Sequence, residues 1–226
     1  MGLTSILSTS WNNISKELIN LRDNNKSAKI IIDATSSFWA LKYDISSADA
    51  WILSVQKNMW LPSGLGMLIV HESLIRDAQE KEKLWEYIWG HNSLVKLENF
   101  YQKYHTPATP NTLLIAGVWF ISQRYKSAFW SIEKLDLHTK EKAKYFYSEI
   151  ENIEWLEIYN KGEWKSFTTF VLSIAREKLE QVNKNLQKNW YSFSPGLFEL
   201  SWKVIRIANF PVHTMKDFQE LIKLLK

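Results

Sequence analysis

The chain has 226 residues, a formal net charge of +4, twelve tryptophans and no cysteine. The missing cysteine excludes a disulfide framework, thiolate zinc sites, iron–sulfur clusters, thiol catalysis and cysteine-ligated deaminase chemistry. Apolar residues at 46% and charged residues at 23% are ordinary globular proportions, so one domain or two small ones with a substantial core are expected.

The opening Met1-Gly2-Leu3-Thr4-Ser5-Ile6 lacks the basic and apolar regions of a signal peptide, and Ile6 stands where myristoylation wants Ser or Thr. A helix is predicted from Ser10 to Leu21, with Trp11, Ile14, Leu18 and Ile19 at three- and four-residue spacing. Ala28–Asp33 reads as a short buried strand, followed by a hairpin with arms Ser37–Tyr43 and Ala50–Gln56. From Pro62 the spacing turns helical as far as Trp89, with a strand at Leu65–Val70 as the competing reading and Gly90 as a C-cap. Trp85, Trp89, Phe100, Tyr101 and Tyr104 are expected to face the core.

A further helix is predicted over Ser93–Tyr104. The prolines of Thr106–Pro110 then mark a loop and a weak boundary between an N-terminal half, 1–105, and a C-terminal half, 111–226. Helical spacing resumes from Leu114 to Phe129. The longest apolar run, Leu113–Ile121, is about half of the ~20 residues a membrane span needs, so a soluble, cytoplasmic protein with no membrane partner is expected. Thr139 reads as the N-cap of a helix to Ile150, Ile153–Tyr159 as a strand, and Ser166 or Thr168 as the start of a helix reaching Gln187. A strand over Leu197–Ile207, a break at Pro211 and a capped helix from Thr214 to Leu225 complete an α+β order, with α/β as the alternative.

Phosphate loops need clustered glycines, and Gly64 and Gly66 form the one close pair, so no cofactor is expected. No two of the five histidines share metal-ligand spacing. Asp136-Leu137-His138 is the nearest approach, and a solvated loop is its expected role. Asp33 closes a buried strand; Ile30–Thr35 resembles the opening strand of PIN-type nucleases, which implies a metal-dependent nuclease with Asp33 as its first carboxylate.

Charge is uneven: from Lys161 onward there are 11 Lys/Arg against 6 Asp/Glu, whereas the first 160 residues hold 17 against 18. In that basic third Trp190 and Tyr191 sit among turns, with Lys161, Lys165, Lys184, Lys188, Lys203 and Arg206 nearby. Such a set suits stacking of single-stranded bases or a protein interface. The sequence therefore leads to a non-catalytic binding or scaffolding subunit of an RNA- or DNA-containing assembly. The alternatives are the Asp33 nuclease and a protein-only or homo-oligomeric structural protein.

Overall fold

The computed structural model describes residues 20–84, 93–196 and 198–226. Residues 20–24 are helical, and the rest of the expected Ser10–Leu21 helix lies outside the described residues, as do Trp85, Trp89 and Gly90.

Strands β1 (Ile31–Asp33), β2 (Ala50–Ser54) and β3 (Gly66–Val70) form a sheet in that order, with β1 parallel and β3 antiparallel to β2. Ile32, Trp51 and Leu53 bury one face together with Ile30, Ala34 and Ala48. The indole N–H of Trp51 donates to the Ile45 carbonyl at 2.9 Å, which satisfies the polar end of a buried aromatic. The predicted hairpin arm Ser37–Tyr43 is corrected. Both edges of β2 are taken by β1 and β3, so Phe38 and Tyr43 pack on Trp51 from a compact turn with Ser37 and Phe38 N–H bonded to the Ala34 carbonyl.

Helices α1 (Glu72–Lys83) and α2 (Leu94–Tyr101) follow, capped by His71 and Ser93. Tyr101 and Tyr104 are 73% and 98% exposed, against the core role expected of them. Helix α3 (Thr112–Phe129) begins at an Asn111 cap and turns Leu113, Trp119 and Phe120 to solvent. Helix α4 (Ile132–Ile150) is one continuous element capped by Ser131, so Thr139 is a buried interior residue and not a cap. Asp136 and His138 therefore lie on a helix, two residues apart and diverging.

The second sheet has the order β4-β5-β7-β6, all antiparallel: β4 (Leu156–Ile158), β5 (Thr169–Ile174), β6 (Ser194–Pro195) and β7 (Val204–Ala208). The helix predicted from Ser166 or Thr168 starts later, as α5 (Arg176–Lys188). Phe170, Leu172 and Ile174 alternate into the core, and that two-residue period wins over helical spacing. Phe146 of α4 stacks on Phe170 with centroids 4.3 Å apart, and Phe218 of α6 (Met215–Leu225) meets both edge-on. The result is an α+β fold. No helix among the described residues is long and apolar enough to cross a membrane.

Candidate active site

Ligands in sheets with parallel strands collect outside the carboxyl ends of those strands, where side chains from adjacent loops converge. The one parallel pair among the described residues is β1 and β2, and Asp33 ends β1 opposite Ile52 of β2. The chain leaving β2 at that end carries Gln56 and Lys57, both half-buried. Asp33 Oδ1 accepts the Thr35 N–H at 3.0 Å, which orients the carboxylate, while its second oxygen has no partner among the described residues. The Lys57 amine likewise has no hydrogen bond or ion pair among the described residues.

Both loops are held from behind. Asn58, 1% exposed, donates from its amide to the Phe38 carbonyl at 2.7 Å, and its own carbonyl accepts the Tyr125 hydroxyl of α3. Gly117 lets α3 close on Leu61, whose Cδ2 would stand 2.9 Å from any Cβ placed there. Two bulky residues in these loops occupy left-handed backbone, Trp39 at φ 68° and Trp60 at φ 54°. Side chains of that size rarely adopt such angles.

Trp60 N–H donates to the Lys57 carbonyl at 2.9 Å, and the Trp60 ring forms one wall of a cleft of about 650 Å³. The rest of its lining comes from β7 and the segments flanking the second sheet, and includes Trp190, Tyr191, Phe193, Arg206 and His213. Arg206 Nε donates to the Pro195 carbonyl at 2.9 Å, which orients its guanidinium and leaves both terminal nitrogens for an anion. Burial, with the Lys142 charge adding to it, pushes His213 down to about 4, so its imidazole is neutral at pH 7. Tyr191 donates its hydroxyl to Asp217 and Glu220 of α6.

Of the residues singled out from the basic third, the cleft brings together Trp190, Tyr191 and Arg206. Lys161 and Lys165 sit apart, ion-paired to Glu157 at 2.6 Å and Glu151 at 3.4 Å. Lys184 and Lys188 lie on the exposed face of α5, and Lys203 is exposed ahead of β7. Among the described residues no group of three His, Asp or Glu is placed to hold a metal ion, so Asp33 lacks the converging carboxylates a nuclease requires. Lys57 carries no signal that composition or spacing would single out. The feature that marks it is a lysine just past a buried strand, next to a strand ending in Asp.

Residues 8–189 match the aminotransferase class-V family model, and the chain belongs to that family. Its fold is similar to a phosphoserine aminotransferase from Cytophaga hutchinsonii, at 26% identity and a TM-score of 0.88 over 96% of this chain and 60% of the other. A pyridoxamine-pyruvate aminotransferase from Mesorhizobium loti superposes with a TM-score of 0.81 at 20% identity, covering 100% of this chain and 59% of its own. A phosphoserine aminotransferase from Trichomonas vaginalis, with PLP bound, gives 0.68 at 16% identity over 88% and 54%. The chain thus spans about 60% of the length of the first of these structures. No curated protein sequence matches it significantly.

The family overturns the reading as a non-catalytic scaffold or nucleoprotein subunit with nucleic-acid partners, and with it the nuclease alternative. A charge excess along the chain does not make a basic face in space. In space Lys161 and Lys165 are matched by glutamates, and Arg206 faces a cleft.

Proposed function

We propose that this chain carries the cofactor-anchoring lysine and the substrate-carboxylate arginine of a pyridoxal-phosphate-dependent aminotransferase. Enzymes of this kind hold the cofactor aldehyde on a lysine amine and pair its ring nitrogen with an acidic residue. The observation that carries the reading is the parallel pairing of β1 and β2, which sets Asp33 and the Lys57 loop at one carboxyl edge. The donor set fits the group: an amine with no ion pair and a carboxylate with one oxygen free, both half-buried.

When bound, pyridoxal phosphate supplies the electron sink that lets an amino group leave one α-carbon and join another. Lys57 Nζ would anchor it and would be the amine that takes or returns the α-proton of the substrate. Asp33 would hold a proton on the ring nitrogen. Arg206, with both terminal guanidinium nitrogens free in the cleft, would receive the substrate carboxylate in a two-pronged hydrogen bond and fix its orientation. Trp60 and Phe193 line the cleft beside it.

Titrating the protein with pyridoxal phosphate tests this. A visible absorbance band that saturates in the wild type and weakens in Asp33→Asn supports the assignment. An identical band and affinity in Asp33→Asn would remove Asp33 from the site.

A further inference from the structure

Trp60, from the loop between β2 and β3, closes a cleft otherwise lined by residues of the second sheet and the segments around it. Trp60 lies 6.1 Å from the Phe210 ring and 5.4 Å from the His213 ring, centroid to centroid. Phe210 and His213 are the ends of a tight turn around Pro211, closed by the His213 N–H donating to the Phe210 carbonyl at 3.1 Å. His213 Nδ1 accepts the Phe210 N–H in return, also at 3.1 Å. The turn follows directly on β7, the strand that carries Arg206.

Beneath it lies Lys142 of α4, a lysine 1% exposed with no ion pair among the described residues. Its ammonium donates to the Phe210 carbonyl at 2.9 Å and to the His213 carbonyl at 2.7 Å, and sits 5.9 Å from the Phe218 ring. A buried charge is costly unless it is hydrogen-bonded, so a lysine kept there must be serving the groups it bonds. Both are backbone carbonyls of one turn. Asn209 secures the preceding residue, donating from its amide to the carbonyls of Thr139 at 2.9 Å and Phe167 at 2.7 Å.

We infer that Lys142 is a positioning residue: by gripping the Phe210–His213 turn from below, it seats that turn against Trp60 and so sets the spacing between Trp60 and the Arg206 side of the cleft. What is positioned rests on the reading of the cleft given above; the seating itself does not. Burial pushes the Lys142 ammonium down to about 7, which makes the grip responsive near neutral pH. Asp217, His213 and His138 also face it. Asp217 of α6 is held below its usual range by its Thr214 hydrogen bonds, against an opposing push from burial. His213 is held near 4, and burial depresses His138 on α4.

The test is 19F NMR of the full chain labelled with 5-fluorotryptophan, with the Trp60 resonance assigned through Trp60→Phe and that of Trp51, buried in the first sheet, as the control. In Lys142→Met the Trp60 resonance should shift by more than its linewidth while Trp51 stays in place. A folded Lys142→Met with Trp60 at its wild-type position would overturn the inference. Should that variant fail to fold, Trp60 in the wild type should move between pH 6 and 9 with a midpoint near that of Lys142, and a flat titration would overturn it equally. Neither readout needs cofactor or substrate, so a failure here and a failure of the aminotransferase reading are told apart.

Discussion

The Asn58 amide donates to the Phe38 carbonyl at 2.7 Å, and this bond fastens the loop carrying Lys57 to the turn that follows Asp33. The two groups that would hold the cofactor are thus set by one buried side chain between them. Asn58→Ala removes the donor and strands a carbonyl at a site that is 1% exposed. The expected loss is about 1–3 kcal/mol of stability by urea unfolding. Cofactor affinity should fall as well, because the loops lose their mutual register. A stability loss with unchanged affinity would limit Asn58 to a packing role.

Arg206→Lys keeps the charge but loses the fork whose Nε is anchored on Pro195. A charge-assisted hydrogen bond contributes about 1.5–3 kcal/mol, so carboxylate binding should weaken roughly 10- to 150-fold. Titration with a dicarboxylate inhibitor reads this directly, and Trp190→Ala serves as a comparison from the same cleft.

Exposure separates the aromatics by energetic role. Phe170 is fully buried and stacked on Phe146, so Phe170→Ala should cost about 3–5 kcal/mol. Trp190 is 97% exposed, and Trp190→Ala should change stability by no more than about 0.5 kcal/mol. Urea midpoints of the two variants measure the contrast.

Lys142 also makes stability depend on pH. Its folded value of about 7 lies below the ordinary 10.5, so between these the unfolded chain binds more protons and stability rises with pH. Burial raises Tyr43 and Tyr125 to about 12, which reverses the trend above the ordinary tyrosine value of 10.0. Unfolding free energy of the wild type should therefore climb from pH 7 to 9.5, and Lys142→Met should lose most of that slope. Equal slopes in the two proteins would refute the assignment.

Local signals in the sequence carried far. The β-branched Ile30–Ile32 marks β1, and Thr214 caps the last helix as expected, in a capping box completed by Asp217. Asp33 is legible as an acid closing a buried strand, and the nuclease alternative built on it is overturned by the family. What pairs with β2 was not legible: the aromatics of Ser37–Tyr43 satisfy strand propensity equally well by packing on Trp51. Lys57 becomes conspicuous only once β1 and β2 are known to be parallel, since that pairing puts its loop beside Asp33. The charge of Arg206 and the aromaticity of Trp190 are legible in the sequence; that they line one cleft is visible only in space.

The most direct test of the account is to add pyridoxal phosphate to the full chain, reduce with borohydride, digest, and locate the modified lysine by mass spectrometry. The account predicts a single dominant adduct on Lys57, absent from Lys57→Ala. Adducts scattered over surface lysines, or undiminished labelling of Lys57→Ala, would contradict it.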